Sequence, residues 1–235
     1  MANIALIIAG GVGTRMGYDI PKQFVNVNDK PVIIYTLETF QNHPNIDSIV
    51  VVCIDGWHDI LSAYSKQFSI TKLQTIVSGG ASAQESIRNG ILEISKYAND
   101  DDIVIIHDGV RPLIEKEVLS DVIGKCSLYG NAVSSMPYYE QLFVKTDENT
   151  TNKYIPRDTI RRVSTPQAYK LGKLKWAYDK AFSEGVGIGP SSYTNTMMVE
   201  LGETLYFASG SDKNIKLTTK ENLEIFKAYL RMEQN

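Results

Sequence analysis

Arg15 and Lys22 stand just beyond three closely spaced glycines, Gly10, Gly11 and Gly13, within residues 4–23. Glycines so placed let the backbone turn sharply and approach a ligand with no Cβ in the way. Successive N–H groups in such a turn form an anion-binding concavity. The two cations add mobile positive charge at its mouth, Arg as a planar fork of donors and Lys as a compact point charge. The set suits a nucleoside triphosphate. Two phosphate motifs are excluded. The dinucleotide fingerprint needs a third Gly where Met16 stands, and a Walker loop needs Gly-Lys-Ser/Thr, which is absent. The glycines alone fit an ordinary strand-to-helix turn equally well. Arg15 together with Pro21-Lys22-Gln23 is what singles the stretch out.

Three further clusters carry charge or turn chemistry. Gly79 to Ser86, with Gly80, Ala81 and Ser82 between, is a glycine pair followed by a Ser that opens a helix, and on its residues alone reads as a turn. His107-Asp108-Gly109-Val110-Arg111-Pro112 closes an Ile/Val run, where an Asp is costly unless it is paired or ligates a cation. Mg²⁺ brought with a triphosphate is one partner for Asp108, because that ion takes one or two carboxylates plus phosphates. An Asp108–Arg111 ion pair that shapes the turn is the other. The last cluster is Arg157, Thr165-Pro166-Gln167 and Asn214-Ile215-Lys216-Leu217-Thr218, and its cations taken alone fit a solvated surface. His43, His58 and His107 lie in unrelated segments, so no zinc site is expected.

The elements that must position these residues read as an α/β alternation. Short Ile- and Val-rich runs at 4–9 and 48–54 predict buried strands, and runs at 74–77, 102–106 and 132–136 predict three more strands. Helical spacing is found at 31–40, 57–68, 82–97, 115–128, around 171–182 and at 220–232, with a last strand near 204–209. Strands alternating with helices imply a parallel sheet covered on both faces. Ligands bind such sheets outside the carboxyl ends of the strands, where the glycine loops and Asp108 would share one edge. Residues 141–145 and 153–156 can pair as a hairpin around a polar turn. A lone hairpin is barely stable in water, so it is expected to pack against a second subunit, a floppy surface loop being the other reading.

With 235 residues the chain is expected to form one domain. A net charge of -3 argues against nucleic-acid binding through a global basic field. No apolar run is long enough to span a membrane, and the start does not read as a signal peptide, so a cytoplasmic protein is expected. Cys53 and Cys126 fit buried free thiols.

The G-G-x-G-T-R-M stretch with its P-K-Q-F continuation resembles the sugar-nucleotide pyrophosphorylases, and most of all the cytidylyltransferases acting on 2-C-methylerythritol 4-phosphate and on ribitol 5-phosphate. The resemblance runs to about Leu223 through Gly79-Gly80, H-D-G-x-R-P, R-x(7)-T-P-Q and N-I-K-x-T. It implies a Rossmann-like three-layer nucleotidyltransferase fold, mostly parallel, as a single domain over 1–235 with a projecting dimerisation arm at about 139–162. It implies that Arg15 and Lys22 stabilise the transition state. Ile8, Ala9, Gly10, Gly11, Gly13, Thr14, Gly80, Ala81, Ser86 and Asp108 would hold CTP, with Mg²⁺ on Asp108. Arg111, Arg157, Thr165 and Lys216 would position a small phosphorylated polyol. Ala83 stands where the family usually has Arg, Glu140-Gln141 where it often has Asp-Thr, and Asn195 where it has Asp. These departures fall mostly on the acceptor side. Ribitol 5-phosphate is therefore the expected acceptor, with methylerythritol phosphate as the alternative and a non-catalytic nucleotide-binding relative as the rival class. A homodimer is expected, each arm carrying Arg157 into the other subunit's site.

Overall fold

The computed structural model describes every residue except Val12, Thr14, Arg15, Met16, Tyr18, Pro190, Ser191, Gln234 and Asn235. In chain order, β1 (Asn3–Ala9) is followed by a 3-10 turn (Lys22–Phe24), the small ladder of β2 (Asn26–Val27) with β3 (Lys30–Pro31), and α1 (Val32–Gln41). Then β4 (Ser48–Cys53), α2 (His58–Gln67), β5 (Leu73–Ser78), α3 (Ala83–Ile94) and β6 (Ile103–Asp108) alternate. Next come α4 (Lys116–Tyr129), β7 (Asn131–Pro137) and the hairpin of β8 (Leu142–Val144) with β9 (Lys153–Ile155). β10 (Arg161–Lys170), α5 (Leu171–Glu184), α6 (Thr194–Glu200), β11 (Phe207–Ser209) and α7 (Lys220–Glu233) complete the order.

The Ile/Val runs form strands because branched side chains pack well on a pleated surface, and they are apolar throughout because both faces are covered. Along β1, Ala5, Ile7 and Ala9 face one way, toward α1 and α4, while Ile4 and Leu6 face the other, toward α3 and α5. The main sheet has seven strands in the order β11-β7-β10-β6-β1-β4-β5. β1 pairs in parallel with both β4 and β6, which makes it central. β10 runs antiparallel to β6 and β7, so the sheet is mixed as well as mostly parallel. Leu6, Ile7 and Ile105 are fully buried, and truncating one to Ala would cost about 2–5 kcal/mol. A third apolar cluster joins Val25, Val27 and Val32 to Val110, Leu217 and Phe226, which docks α7 and the segment before it onto the N-terminal turn. No helix among the described residues is long and apolar enough to cross a membrane.

The structure differs from the sequence reading chiefly in the C-terminal half. β10 is a ten-residue strand in a stretch where the sequence pattern predicts none. Its polar residues and Pro166 hid it, since Pro cannot donate to a ladder. The register on β7 shifts between Ser164 and Gln167, so the ladder skips the proline. The short α6 was also missed, and the strand read at 204–209 shrinks to Phe207–Ser209. The hairpin forms, with shorter strands than expected. Cys53 and Cys126 are free and buried, and burial pushes both thiols up to about 12.

Candidate active site

A cavity of about 670 Å³ opens at the carboxyl ends of β1 and β6. Its floor and walls come from segments far apart in sequence: Ile8 to Gly11, Lys22-Gln23, Gly80 to Ala83 with Ser86, His107-Asp108, Arg111, Val163 to Thr165, Tyr193 to Thr196, and Lys216. The parallel sheet delivers the first four and β10 the antiparallel contribution, as the topology requires.

The glycine loop is held from below by a residue whose role the sequence did not reveal. Gln23 is 1% exposed, and its Nε2 donates to the carbonyls of Ala9 (2.7 Å) and Gly11 (3.1 Å). Those bonds occupy carbonyl oxygens of the loop, which favours N–H groups as what the loop offers a ligand. Gly13 has φ +76° and lies against the Lys22 stem, where an added Cβ would come within 2.7 Å of Lys22 Cγ. Both the backbone conformation and the packing therefore require Gly there. Thr14 and Arg15 lie outside the described residues.

The second wall is the turn between β5 and α3. Ser82 caps α3 by accepting from Glu85 N–H at 3.1 Å. Ser86 is buried; its hydroxyl accepts from Gly80 N–H (2.9 Å) and donates to Ser82 O (2.9 Å). Ser86 thus shapes the loop that places Gly80 and Ala81 in the cavity. Ala83 contributes a methyl group to the same wall.

The third element is a charge cluster. Asp108 Oδ2 accepts from Arg111 Nε at 2.8 Å, and Oδ1 accepts from Lys216 Nζ at 3.0 Å. Its backbone N–H donates to Thr165 Oγ1 at 3.2 Å. Arg111 also donates through Nη1 to Asn214 O (2.7 Å), and Asn214 Nδ2 donates to Thr165 O (2.6 Å). Burial works to raise the Asp108 pKa, but Lys216 and Arg111 overcome it and hold the carboxyl well below the usual carboxylate range. The ion pair weighed above as the alternative to Mg²⁺ at Asp108 is therefore present, with Lys216 added. Asp108 is the only carboxylate among the described lining residues.

His107 is packed and neutral. Its Nε2 donates to Arg111 O at 3.2 Å, and burial, opposed by Asp108, lowers its pKa to about 4. Among the described residues, Gly13 and Arg157 are the expected site residues that do not line the cavity, Gly13 packing on the Lys22 stem and Arg157 lying away from it. Arg157 opens the exposed 3-10 turn Arg157–Thr159 just after the hairpin, with Nη1 donating to Tyr139 O at 2.7 Å. Sequence reasoning also missed a buried knot behind the cavity wall. The Tyr178 hydroxyl donates to Gln84 Oε1 (2.9 Å) and shares a bond with Thr194 Oγ1 (2.8 Å), while Gln84 Nε2 donates to Gly187 O (2.9 Å). The available signal was Gln84 falling in helical register with Ile87 and Ile91 on the buried face.

A glycine-rich cradle and a cation cluster at the carboxyl edge of a doubly covered sheet define an α/β nucleotide-handling enzyme. Comparison with known families places it more narrowly. The chain belongs to the 2-C-methyl-D-erythritol 4-phosphate cytidylyltransferase family, whose model matches residues 3–232, and it is a cytidylyltransferase. It is 60% identical over 230 residues to the ribitol-5-phosphate cytidylyltransferase of Lacticaseibacillus paracasei, covering 98% of each chain. It is 34% identical to the 2-C-methyl-D-erythritol 4-phosphate cytidylyltransferase of Clostridium tetani, covering 99% of this chain and 92% of that one. The fold is shared with the 4-diphosphocytidyl-2C-methyl-D-erythritol synthase of Anaerococcus prevotii (TM-score 0.81, 23% identity, 98% and 96% covered).

Proposed function

We propose that this enzyme transfers the cytidylyl group of CTP to ribitol 5-phosphate, giving CDP-ribitol and pyrophosphate. The observation that carries the reaction is one cavity lined both by the glycine cradle and by Lys22, Arg111 and Lys216. The relative at 60% identity supports ribitol 5-phosphate as acceptor over methylerythritol phosphate.

An oxygen of the acceptor phosphate attacks the α-phosphorus of CTP, a new P–O bond forms, and the bond to the β-phosphate bridge breaks as pyrophosphate leaves. The acceptor phosphate is already an anion at neutral pH, so no strong general base is needed, which agrees with a neutral, packed His107. Two polyanions must meet, and preorganised cations are the main source of acceleration for such a step. Lys22 and Arg15 take that role at the cradle. Lys216 and Arg111, aligned by Asp108, hold the acceptor phosphate beside Thr165. Mg²⁺ fits this site as a companion of the triphosphate, with Asp108 as the only protein carboxylate on offer among the described lining residues. When bound it neutralises charge on the phosphates. The enzyme acts as a cytoplasmic homodimer in which Arg157 on each hairpin completes the neighbour's cavity.

Pyrophosphate release from CTP with Mg²⁺ and a panel of polyol phosphates tests the reading. Turnover is expected with ribitol 5-phosphate. Turnover confined to methylerythritol 4-phosphate would overturn the acceptor, and no turnover with any of them would overturn the reaction.

A further inference from the structure

We infer that α7 sets the spacing of the cavity cations, with Phe226 as the positioning residue through which it acts. The inference rests on the reading of Lys22, Arg111 and Lys216 as the phosphate-binding cations of the reaction proposed above, and adds what holds the three in register.

Each of these cations has an apolar residue close by in sequence. Val25 follows Lys22 by three positions, Val110 precedes Arg111, and Leu217 follows Lys216. The cations line the cavity, while Val25, Val110 and Leu217 are all buried in the third apolar cluster with Leu223 and Phe226 of α7. The backbones of these segments are tied as well. Leu217 N–H donates to Val110 O at 2.9 Å, and Val32 N–H donates to Val25 O at 3.0 Å. Asn222, on the first turn of α7, accepts through Oδ1 from the N–H groups of Thr218 (3.2 Å) and Thr219 (3.1 Å). The helix thus grips the segment after Lys216 by polar bonds too.

The buried face of α7 serves this cluster alone. Leu223, Phe226 and Leu230 recur at helical spacing and pack there. No described residue of α7 belongs to either of the two clusters that cover the main sheet. Phe226 is fully buried, and its ring meets Tyr35 edge-on with centroids 5.1 Å apart. The Tyr35 hydroxyl donates in turn to Val27 O at 2.7 Å. In a close-packed interior such a ring fixes its neighbours, and removing it leaves a hollow into which Val25, Val110 and Leu217 can move. Each of those movements carries a cation with it. Preorganised charges tolerate little displacement, a shift of about 1 Å being able to cost about a hundredfold in rate.

The test is a double-mutant cycle in steady-state kinetics, using Phe226→Ala, Lys216→Ala and the pair, each well below its unfolding temperature. Phe226→Ala should lower kcat/KM about tenfold or more with either substrate varied. In the Lys216→Ala background that loss should shrink about threefold or more, because residues that act through one another are not additive. Leu61→Ala opens a comparable hole in the main core, on α2 and in no contact with the third cluster, and should leave kcat/KM within about twofold. Phe226→Leu, which keeps the site filled, should restore most of the activity. If Phe226→Ala does not fold, Leu223→Ala on the same face takes its place in the cycle. A loss that is equally large in Leu61→Ala, or undiminished in the Lys216→Ala background, marks a merely structural helix and overturns the inference. A wild-type enzyme inactive on ribitol 5-phosphate but active on another polyol phosphate overturns the proposed acceptor alone, and the cycle is then read on that other acceptor.

Discussion

The cradle and the hairpin arm lie at opposite extremes of this molecule. At the cradle, the polar groups that shape the loops are paired within the chain: Gln23 to two carbonyls, Ser86 to Gly80 and Ser82, Asp108 to two cations. Beneath it β1 and β6 are almost wholly buried, while the edge strand β5 is partly exposed. On the arm, Phe143 is 58% exposed, Tyr154 69% and Tyr139 70%, and the hairpin pairs only with itself. A two-stranded hairpin of this size is marginal alone in water. The described part of the cradle is thus braced within one chain, whereas the arm presents an apolar surface and holds Arg157 on the Tyr139 carbonyl, outside the cavity. The contrast is in keeping with the homodimer proposed above, in which a second copy of the chain supplies the arm's missing contacts.

The largest effect expected falls on the cradle. Lys22→Ala should lower kcat about a hundredfold or more, by comparison with loss of one transition-state donor, while CTP binding weakens much less. Near wild-type turnover in that variant would remove the cradle's claim to the chemistry. Mixing chains tests the arm. Lys22→Ala and Arg157→Ala homodimers should each be nearly inactive, yet a fully exchanged equimolar mixture should regain about a quarter of wild-type activity, because half the dimers carry one intact site. An arm acting within its own chain gives no recovery after confirmed subunit exchange.

Smaller changes sharpen the comparison. Asp108→Asn keeps the shape and loosens Arg111 and Lys216, so the acceptor KM should rise about tenfold or more, with thermal stability moved less than activity. A variant that loses stability and keeps its specific activity would make this a structural cluster. His107 gives the smallest effect and belongs to the core. Its folded pKa is about 4 against an ordinary 6.5. Between those values the unfolded chain binds more protons, so stability falls as pH falls. The loss from about pH 7 to about pH 5 should be about 2 kcal/mol by urea unfolding, and His107→Leu should flatten it. His43, whose pKa burial also lowers, adds in the same direction. Arm variants should leave this profile unchanged.

How much was legible in the sequence follows the same division. The parallel strands could be read because each is a short Ile/Val run closed by a turn residue, and the cradle glycines because few other residues fit there. β10 could not, because its sequence Arg161 to Lys170 mixes polar and apolar residues on both faces and is broken by Pro166. What fixes it as a strand is pairing with β6 and β7, which is information from elsewhere in the chain. Asp108 was legible as a residue needing a partner. Arg111, three positions away, was visible as one candidate, whereas Lys216 lies 108 positions further on, and only the fold brings it there. Arg157 was named from its motif, and the single chain leaves it outside the cavity.

The place of β10 in the sheet also governs the order in which the molecule can be built. During synthesis β1, β4, β5 and β6 emerge first and can pair among themselves, since all their partners but β10 lie before residue 109. Until β10 arrives, the outer edge of β6 is an open, apolar ladder of Ile103 to Ile106, the kind of edge that recruits strands from other chains. The same strand brings Val163, Ser164, Thr165 and Gln167 to the cavity wall. A nascent or truncated chain ending before residue 161 therefore has the glycine loops, an incomplete cavity wall and an open apolar margin, and the strand that completes the wall is also the strand that shields this edge from aggregation.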